Sequence, residues 1–227
     1  MHKIGIIVAL KEEVNNAFLK QWKLNKGVIN YYTFKNKETI YFLVFSGVGK
    51  VNAAITTSFL INNLQVERII NLGSVGAINH KAFTTNTICL VNEARYGDVD
   101  ISYFGYEIGQ IPKSLIQYHL CSRRVAPIRH LLINKFGSNQ VKSKVKLLTS
   151  DYFITPKNKN KLNQLDKVDI VDMEAASICQ TAHKFKFNNL IVIKIVSDST
   201  NDQKNKWDNN INQVSVTIAD ILNLIIH

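Results

Sequence analysis

Long apolar runs that alternate with helical patterns limit the fold of this chain more than any other feature of its sequence. Residues 3–10 (KIGIIVAL) and 189–197 (NLIVIKIVS) are almost entirely apolar and rich in β-branched side chains. Strands without polar alternation are typically buried on both faces, as in a parallel sheet covered by helices. The sequence therefore predicts an α/β protein in three layers, α/β/α, with a central mixed, largely parallel twisted sheet.

The same patterns predict the other elements and their order. Further strands are expected at residues 39–46, 67–72, 87–92, 145–149 and 168–171. Helices are expected at residues 11–20, 50–64, 125–136, 156–165, 173–184 and 208–226, and a long loop at 94–112. The chain contains only 10 Gly and 3 Pro and has no internal repeat, so we expect a single domain over residues 1–227.

The formal net charge of +11 raises the question of a nucleic-acid partner. The lysines are scattered along the chain, and there is no arginine-rich arm and no aromatic RNA-binding motif. We therefore expect no nucleic-acid partner. No apolar run is long enough to cross a bilayer, so we expect no membrane partner either.

Three cysteines, Cys89, Cys121 and Cys179, are widely spaced and odd in number. This usage is typical of reduced thiols, and the first residues lack the pattern of a secretion signal, so we expect a cytoplasmic protein. The sequence contains neither a CxxC pair nor a His pair at metal-ligand spacing. It predicts no metal and no organic cofactor.

Polar or glycine-rich segments follow the predicted strands at six places. They are Glu12-Glu13, SGVGK at 46–50, GSVG at 73–76, SDYF at 150–153, DME at 172–174 and SDS at 197–199. Turns and helix caps also explain such segments one by one, and SGVGK lacks the spacing of a phosphate-binding P-loop. Ligands of parallel sheets bind outside the carboxyl ends of the strands. Acids at several strand ends therefore indicate a ligand site along one edge of the sheet.

The pattern alone leaves the roles of the individual acids open. Glu13 and Asp198 fit helix caps as well as proton transfer. Glu174 differs because Asp172 already provides a possible cap for the same helix, which leaves Glu174 available for a ligand.

Seven segments, in their order and spacing, resemble the bacterial 5′-methylthioadenosine/S-adenosylhomocysteine nucleosidases. They are KIGIIVALKEEV, FSGVGKVNAA, NLGSVGA, EARYGDVD with FGYEIGQIP, SDYFI, VDMEAASI and IVSDS. The resemblance extends from about residue 3 to the last helix and implies a nucleoside phosphorylase-like fold. It also implies hydrolysis of the N-glycosidic bond of methylthioadenosine and adenosylhomocysteine, and of 5′-deoxyadenosine as well. The products are adenine and a 5-substituted ribose, in methionine salvage and methyl-cycle detoxification.

The resemblance implies a catalytic role for each of three acids. Glu13 positions and deprotonates the attacking water. Asp198, oriented by Ser197, protonates N7 of adenine as the base leaves. Glu174 hydrogen-bonds the ribose hydroxyls and stabilises an oxocarbenium-like transition state.

Substrate-binding positions also follow from the resemblance. Phe153 is expected against the adenine ring and Ile154 at its edge. The other expected binding residues are Leu10, Val48, Ser74, Val75, Gly76, Asp172, Met173, Ser197 and Trp207. In the family a neighbouring subunit completes the pocket, which implies a homodimer in which Ile101, Phe104, Tyr106 and Pro112 are contributed by the partner.

This sequence departs from the family pattern at several positions. Val8 and Val75 replace smaller residues, Ala77 replaces a glycine, Lys194 stands where an arginine is usual, and Trp207 where a phenylalanine is usual. Two rival functions remain: a phosphate-dependent purine nucleoside phosphorylase and a non-catalytic nucleoside-binding homologue. The chain has few arginines and places Glu13 where it would repel phosphate, which favours hydrolysis. Aminodeoxyfutalosine remains open as a second substrate.

Overall fold

The computed structural model describes residues 1–161, 167–200 and 206–227, apart from the side chains at positions 122, 161 and 206–208. The strands are β1 His2–Val8, β2 Lys23–Asn25, β3 Tyr31–Lys35, β4 Thr39–Phe45, β5 Arg68–Ala77, β6 Ile88–Tyr96, β7 Tyr118–His119, β8 Val141–Thr149, β9 Ile170–Asp172 and β10 Leu190–Ser199. The α-helices are α1 Asn16–Leu19, α2 Lys50–Asn62, α3 Ser122–Phe136, α4 Ala175–Lys184 and α5 Lys206–Ile226.

The strands form one mixed sheet in which part of the sheet closes on itself. The strand order is β10-β6-β8-β9-β5-β1-β4-β3-β2, and β10 also pairs with β5. Strands β5, β10, β6, β8 and β9 therefore make a closed ring, from which β1, β4, β3 and β2 extend as an open sheet. Strand β1 is parallel to both of its neighbours, β4 and β5, and β5 is parallel to β10. Strand β9 is antiparallel to β5.

Two apolar cores cover the two faces of the sheet, which confirms the predicted layered α/β fold. Ile7 belongs to the core that includes Leu60 of α2, whereas its neighbour Ile6 belongs to the core that includes Leu222 of α5. Successive residues of a strand point to opposite faces. A strand covered on both faces must therefore be apolar at every position, which explains the run IGIIV in β1.

The structure corrects several predicted elements. The helix expected at 11–20 is a 3-10 turn, Lys11–Glu13, followed by the short helix α1, because Glu13 turns inward and Asn15 caps a new helix by accepting a hydrogen bond from the Ala17 N–H. Strands β2 and β3 were not predicted. Strand β6 extends to Tyr96, so the loop expected from 94 begins later. Of the helix expected at 156–165, only a 3-10 turn, Lys159–Lys161, lies within the described residues, and 162–166 lie outside them.

The parallel pairings bring several strand ends to one edge of the sheet. Val8 at the end of β1 pairs with Phe45 of β4, and Gly76 of β5 pairs with Asp198 of β10. On its other side Gly76 pairs with Val171 of β9, next to Asp172. Segments that are more than a hundred residues apart in the chain therefore meet at this edge.

Candidate active site

A cavity of ≈ 240 Å³ opens at this edge of the sheet. Its lining residues are Ala9, Leu10, Glu13, Val48, Ser74, Val75, Gly76, Tyr152, Phe153, Ile154, Val171, Asp172, Met173, Glu174, Ser197, Asp198 and Thr200. The three acids for which the sequence analysis expects catalytic roles thus face one common space. All the expected binding residues of this chain whose side chains the structure describes also line it.

Glu13 is buried and held by three hydrogen bonds. Its Oε1 accepts from the Ser74 N–H at 2.7 Å and from Ser74 Oγ at 2.6 Å, and its Oε2 accepts from the Leu10 N–H at 3.0 Å. A Cβ at position 73 would lie 3.2 Å from Glu13 Oε1, so Gly73 leaves the room that this carboxylate needs. The carboxylate is therefore fixed in orientation at the wall of the cavity.

Glu174 is buried at the start of α4, and its Oε1 accepts a hydrogen bond from the Gly49 N–H at 3.0 Å. Burial and the nearby Asp172 carboxylate raise its pKa to about 7, against the opposing effects of Lys194 and of the Gly49 N–H. Gly49 has φ +100°, a backbone conformation that favours glycine, and this conformation directs its N–H toward Glu174. Near neutral pH this carboxyl group therefore exchanges readily between its neutral and anionic forms.

The Asp172 side chain is almost completely buried, and its partners hold it at the wall of the cavity. It accepts hydrogen bonds from Thr149 Oγ1 at 2.6 Å and from the Ala175 N–H at 3.0 Å, and its Oδ2 lies 2.8 Å from Lys194 Nζ. These are the contacts of a carboxylate that caps a helix and supports its neighbours. Burial lowers the pKa of Lys194, but the Asp172 and Glu174 carboxylates outweigh that effect and raise its pKa above the ordinary value.

Asp198 reaches the cavity from the end of β10. Ser197 Oγ donates to Asp198 Oδ1 at 2.6 Å, and the same hydroxyl lies 3.2 Å from the Val75 carbonyl oxygen. The register of β10 against β5 shifts between Val196 and Asp198, and such a bulge redirects the side chains that follow it. The serine and the bulge together orient the Asp198 carboxyl group.

Aromatic and apolar side chains line another part of the cavity. Tyr152 and Phe153 are 49% and 57% exposed, and Ile154 is buried beside them. Exposed aromatic rings at the mouth of a cavity provide a face on which a planar base can stack.

Four of the expected residues are those assigned to a partner subunit. Ile101, Phe104, Tyr106 and Pro112 do not line the cavity of the single chain, and Phe104 is 74% exposed. Trp207 belongs to α5, but its side chain lies outside the described residues. Among the departures from the family pattern, Val75 lines the cavity, whereas Val8 and Ala77 are buried in the two cores.

Among the described residues that line the cavity, sequence reasoning missed four: Ala9, Tyr152, Val171 and Thr200. Each lies one or two positions from a residue that the sequence analysis identified. Tyr152 stands inside the SDYF segment, so its position after a strand is a signal that could have found it. Ala9, Val171 and Thr200 carry no such signal because small and apolar residues are common at strand ends.

Within the part of the chain that the structure describes, no group of three or more His, Cys, Asp and Glu side chains could hold a metal ion. The same residues include no helix that is long and apolar enough to span a membrane.

The fold and the cavity together define a class: α/β proteins with several carboxylates around a small-ligand site at the strand ends. Residues 3–227 match the family model described as the phosphorylase superfamily. The 5′-methylthioadenosine/S-adenosylhomocysteine nucleosidase of Buchnera aphidicola is 34% identical over 231 residues, covering 99% of this chain and 96% of the relative. The chain therefore belongs to the phosphorylase superfamily and, within it, to the family of nucleoside N-glycosidases that includes the methylthioadenosine/S-adenosylhomocysteine nucleosidases.

Solved structures share the same fold. The S-adenosylhomocysteine nucleosidase of Streptococcus pyogenes, in complex with 5-methylthiotubericidin, is 29% identical with a TM-score of 0.86, covering 99% of this chain and 96% of that one. The futalosine hydrolase of Helicobacter pylori shares the fold with a TM-score of 0.88 at 23% identity, covering 99% and 97%. The predicted nucleoside phosphorylase-like fold and the family resemblance are confirmed.

Proposed function

We propose that this protein hydrolyses the N-glycosidic bond of 5′-methylthioadenosine and S-adenosylhomocysteine, and of 5′-deoxyadenosine, releasing adenine and a 5-substituted ribose. The observation that supports this most directly is the meeting of Glu13, Glu174 and Asp198 in one cavity. The names of relatives such as the Buchnera enzyme support the choice of substrate.

Cleavage of this bond needs two proton transfers. Adenine is a poor leaving group as an anion, so Asp198 donates a proton to N7 while the bond breaks. Ser197 holds the carboxyl group in the orientation that this transfer requires. Glu13 orients a water molecule and accepts its proton, and its three donors keep its oxygens in place.

Glu174 acts on the sugar. Its carboxylate accepts hydrogen bonds from the ribose hydroxyls, and Met173 beside it packs against the ring. As the bond breaks, the sugar gains positive charge, and a fixed anion stabilises that state more than it stabilises the bound substrate. The anionic form of Glu174 is therefore the active one.

The charge of the cavity favours water over phosphate as the attacking group. Its described lining residues include four acids but no lysine or arginine. Lys194 lies nearby, but its ammonium group is bound to Asp172. A phosphorylase must attract a dianion, for which several cationic groups are the usual means.

The complete site is proposed to require a homodimer. Tyr103 and Phe104 are 92% and 74% exposed, and such large apolar side chains are typical of a surface that another protein covers. In this proposal Ile101, Phe104, Tyr106 and Pro112 of one subunit close the cavity of the other, and Trp207 covers the 5′ substituent. The free thiols of Cys89, Cys121 and Cys179 fit a reducing cytoplasm, where methionine salvage and methyl-cycle detoxification would use the reaction.

Product analysis by mass spectrometry tests this proposal. Methylthioadenosine, adenosylhomocysteine, 5′-deoxyadenosine, aminodeoxyfutalosine and inosine are each incubated with the protein, with and without phosphate. We expect adenine from the first three substrates in the absence of phosphate. Strict dependence on phosphate would identify a phosphorylase, and binding without turnover would identify a non-catalytic homologue. Faster cleavage of aminodeoxyfutalosine than of the thio-nucleosides would change the substrate assignment.

A further inference from the structure

Lys50, the first residue of α2, forms ion pairs that connect two walls of the cavity without lining it. Its Nζ lies 2.9 and 2.8 Å from the two carboxylate oxygens of Asp98, and 3.3 Å from Asp151 Oδ2. The Asp98 side chain is 6% exposed and that of Lys50 is 23% exposed. The same ammonium group lies 5.5 Å from the centre of the Tyr96 ring. A cation that is shared by two carboxylates and partly shielded from water is held more firmly than one in an isolated surface pair.

The backbone of Lys50 takes part in the same network. Its N–H donates to Asp151 Oδ1 at 3.0 Å, and its carbonyl oxygen accepts from Ser177 Oγ of α4 at 2.9 Å. The Asp151 N–H in turn donates to Asp98 Oδ2 at 2.8 Å. These contacts tie together the start of α2, the segments that follow β6 and β8, and helix α4.

Two parts of the cavity depend on the position of this network. Gly49, directly before Lys50, donates its N–H to Glu174 Oε1 at 3.0 Å. Asp151, directly before Tyr152, leads into residues 152–154, which line the cavity on the side proposed for adenine. A shift of Lys50 would therefore move both the hydrogen-bond donor of Glu174 and the base-binding segment.

We propose that Lys50 is a positioning residue of the active site: by binding Asp98 and Asp151 it keeps the Gly49 N–H on Glu174 and holds residues 152–154 against the bound base. This inference rests on the proposed nucleosidase function. Lys50 touches no reacting atom and acts through Gly49 and Asp151.

The proton affinity of Glu174 reports on the Gly49 contact. Burial and the carboxylates of Asp172 on β9 and Glu13 on the 3-10 turn raise the pKa of Glu174, while Lys194 on β10 and the Gly49 N–H lower it. Loss of the Gly49 hydrogen bond removes one of the two opposing effects. The pKa then rises further, and less of the anionic form is present at neutral pH.

The test compares Lys50→Met with Lys50→Arg and with Lys135→Met. Lys135 is an exposed lysine in the last turn of α3, before β8, and so lies toward the sheet edge opposite the cavity. For Lys50→Met we expect kcat/KM to fall roughly 10- to 100-fold, as for displaced groups that support an active site. We also expect the acidic limb of its pH profile to move to higher pH. Lys50→Arg should recover most of the activity because a guanidinium group can bind both carboxylates, and Lys135→Met should match the parent.

Two results would overturn the inference. One is a Lys50→Met variant with the kcat/KM and pH profile of the parent. The other is an equal loss of kcat/KM in Lys50→Met and Lys50→Arg that parallels a loss of folded protein and leaves the pH profile unchanged. A residue with a purely structural role would give that pattern.

Failure of the proposed function has a different signature. If the parent releases no adenine from any nucleoside, the pKa of Glu174 is followed instead by NMR of ¹³C-labelled glutamate, with Glu174→Gln to identify its signal. A higher pKa in Lys50→Met supports the link through Gly49, and an unchanged pKa refutes it.

Discussion

Three carboxylic acids with similar intrinsic chemistry acquire different environments in this protein. Glu13 accepts three hydrogen bonds, Asp198 is bonded to its neighbour Ser197, and Glu174 is buried beside a second carboxylate. Differences of this kind allow acids in one cavity to take different roles in a reaction. Two predictions at the scale of single residues test the role of Asp198 and the environment of Glu174.

The first prediction concerns Asp198→Asn. The amide cannot donate the proton that the leaving base needs, so we expect kcat to fall by roughly 10²–10⁴-fold. The shape of the side chain is retained, so the Kd of a nucleoside analogue should change little. Stopped assays of adenine release and calorimetric titration measure the two quantities.

Asp220→Asn in α5 serves as the matched control, because Asp220 does not line the cavity. It should retain the activity of the parent. Equal turnover in Asp198→Asn and the parent would contradict the assigned acid role.

The second prediction concerns the effect of Glu174 on stability. Burial, followed by Asp172, raises its pKa from an ordinary value of 4.5 to about 7, so the folded protein binds this proton more tightly than the unfolded chain does. As the pH rises from 4.5 to about 7, the contribution of this group to stability is lost. Glu174→Gln removes this titration. Between about pH 5 and about pH 8, the free energy of unfolding of the parent should therefore fall by on the order of 3 kcal/mol more than that of Glu174→Gln.

Urea denaturation at several pH values measures this difference. Parallel stability curves for Glu174→Gln and the parent would show that burial does not raise the proton affinity of Glu174.

At the scale of elements, the apolar strands could be predicted but the irregular connections could not. Strands β1, β4 and β10 follow the predicted ranges closely, because burial on both faces dictates their apolar residues. Helices α2 and α4 also lie close to their predicted ranges. The helix expected at 11–20 fails because the Glu13 carboxylate bonds to Ser74, a contact that local sequence cannot reveal. Strands β2 and β3 lie at the open end of the sheet, where partial exposure weakens the apolar pattern.

One prediction belongs to the turn that begins α2. Gly49→Ala places a side chain on a residue with φ +100°, and its Cβ would lie 3.4 Å from Asp151 Oδ1. We expect roughly 1 kcal/mol or more of lost stability. We also expect lower kcat/KM, because the strained turn moves the N–H that binds Glu174. Thermal denaturation and adenine release measure the two effects.

Gly137→Ala is the matched control for this change. Gly137 has φ +86°, ends α3, and an added Cβ would meet nothing within 4 Å. A similar loss of stability with unchanged kcat/KM is expected. An equal loss of activity in both variants would show that the activity lost in Gly49→Ala does not depend on the contact of Gly49 with Glu174.

At the scale of the whole molecule, the cavity is assembled from segments that are distant in sequence. Its walls come from the ends of β1, β5 and β10, the turn before α2, the segment after β8 and the start of α4. The exposed aromatic residues near position 104 lie outside this cavity. This arrangement leaves the proposed contribution of a second subunit to be tested in solution.

Phe104→Ser is expected to weaken dimerisation and to raise KM, since it removes a large apolar side chain from the proposed interface. Sedimentation velocity and steady-state kinetics measure both quantities on the same sample. Leu131→Ser, at an exposed apolar position of α3, is the control and should leave both unchanged. A monomeric parent with full activity would refute the proposed role of the partner subunit.

The sequence by itself determined the layered α/β architecture, because strands covered on both faces need uninterrupted apolar runs that can be read without coordinates. Its ordered motifs also indicated the family and the acids around the cavity. The tertiary structure decided which side chains meet. Several of these contacts join residues that are not neighbours in the chain. They are the ion pair of Lys194 with Asp172, the hydrogen bond from Ser74 to Glu13, and the ion pairs of Lys50 with Asp98 and Asp151. Such contacts depend on the register and curvature of the sheet, which no local pattern specifies.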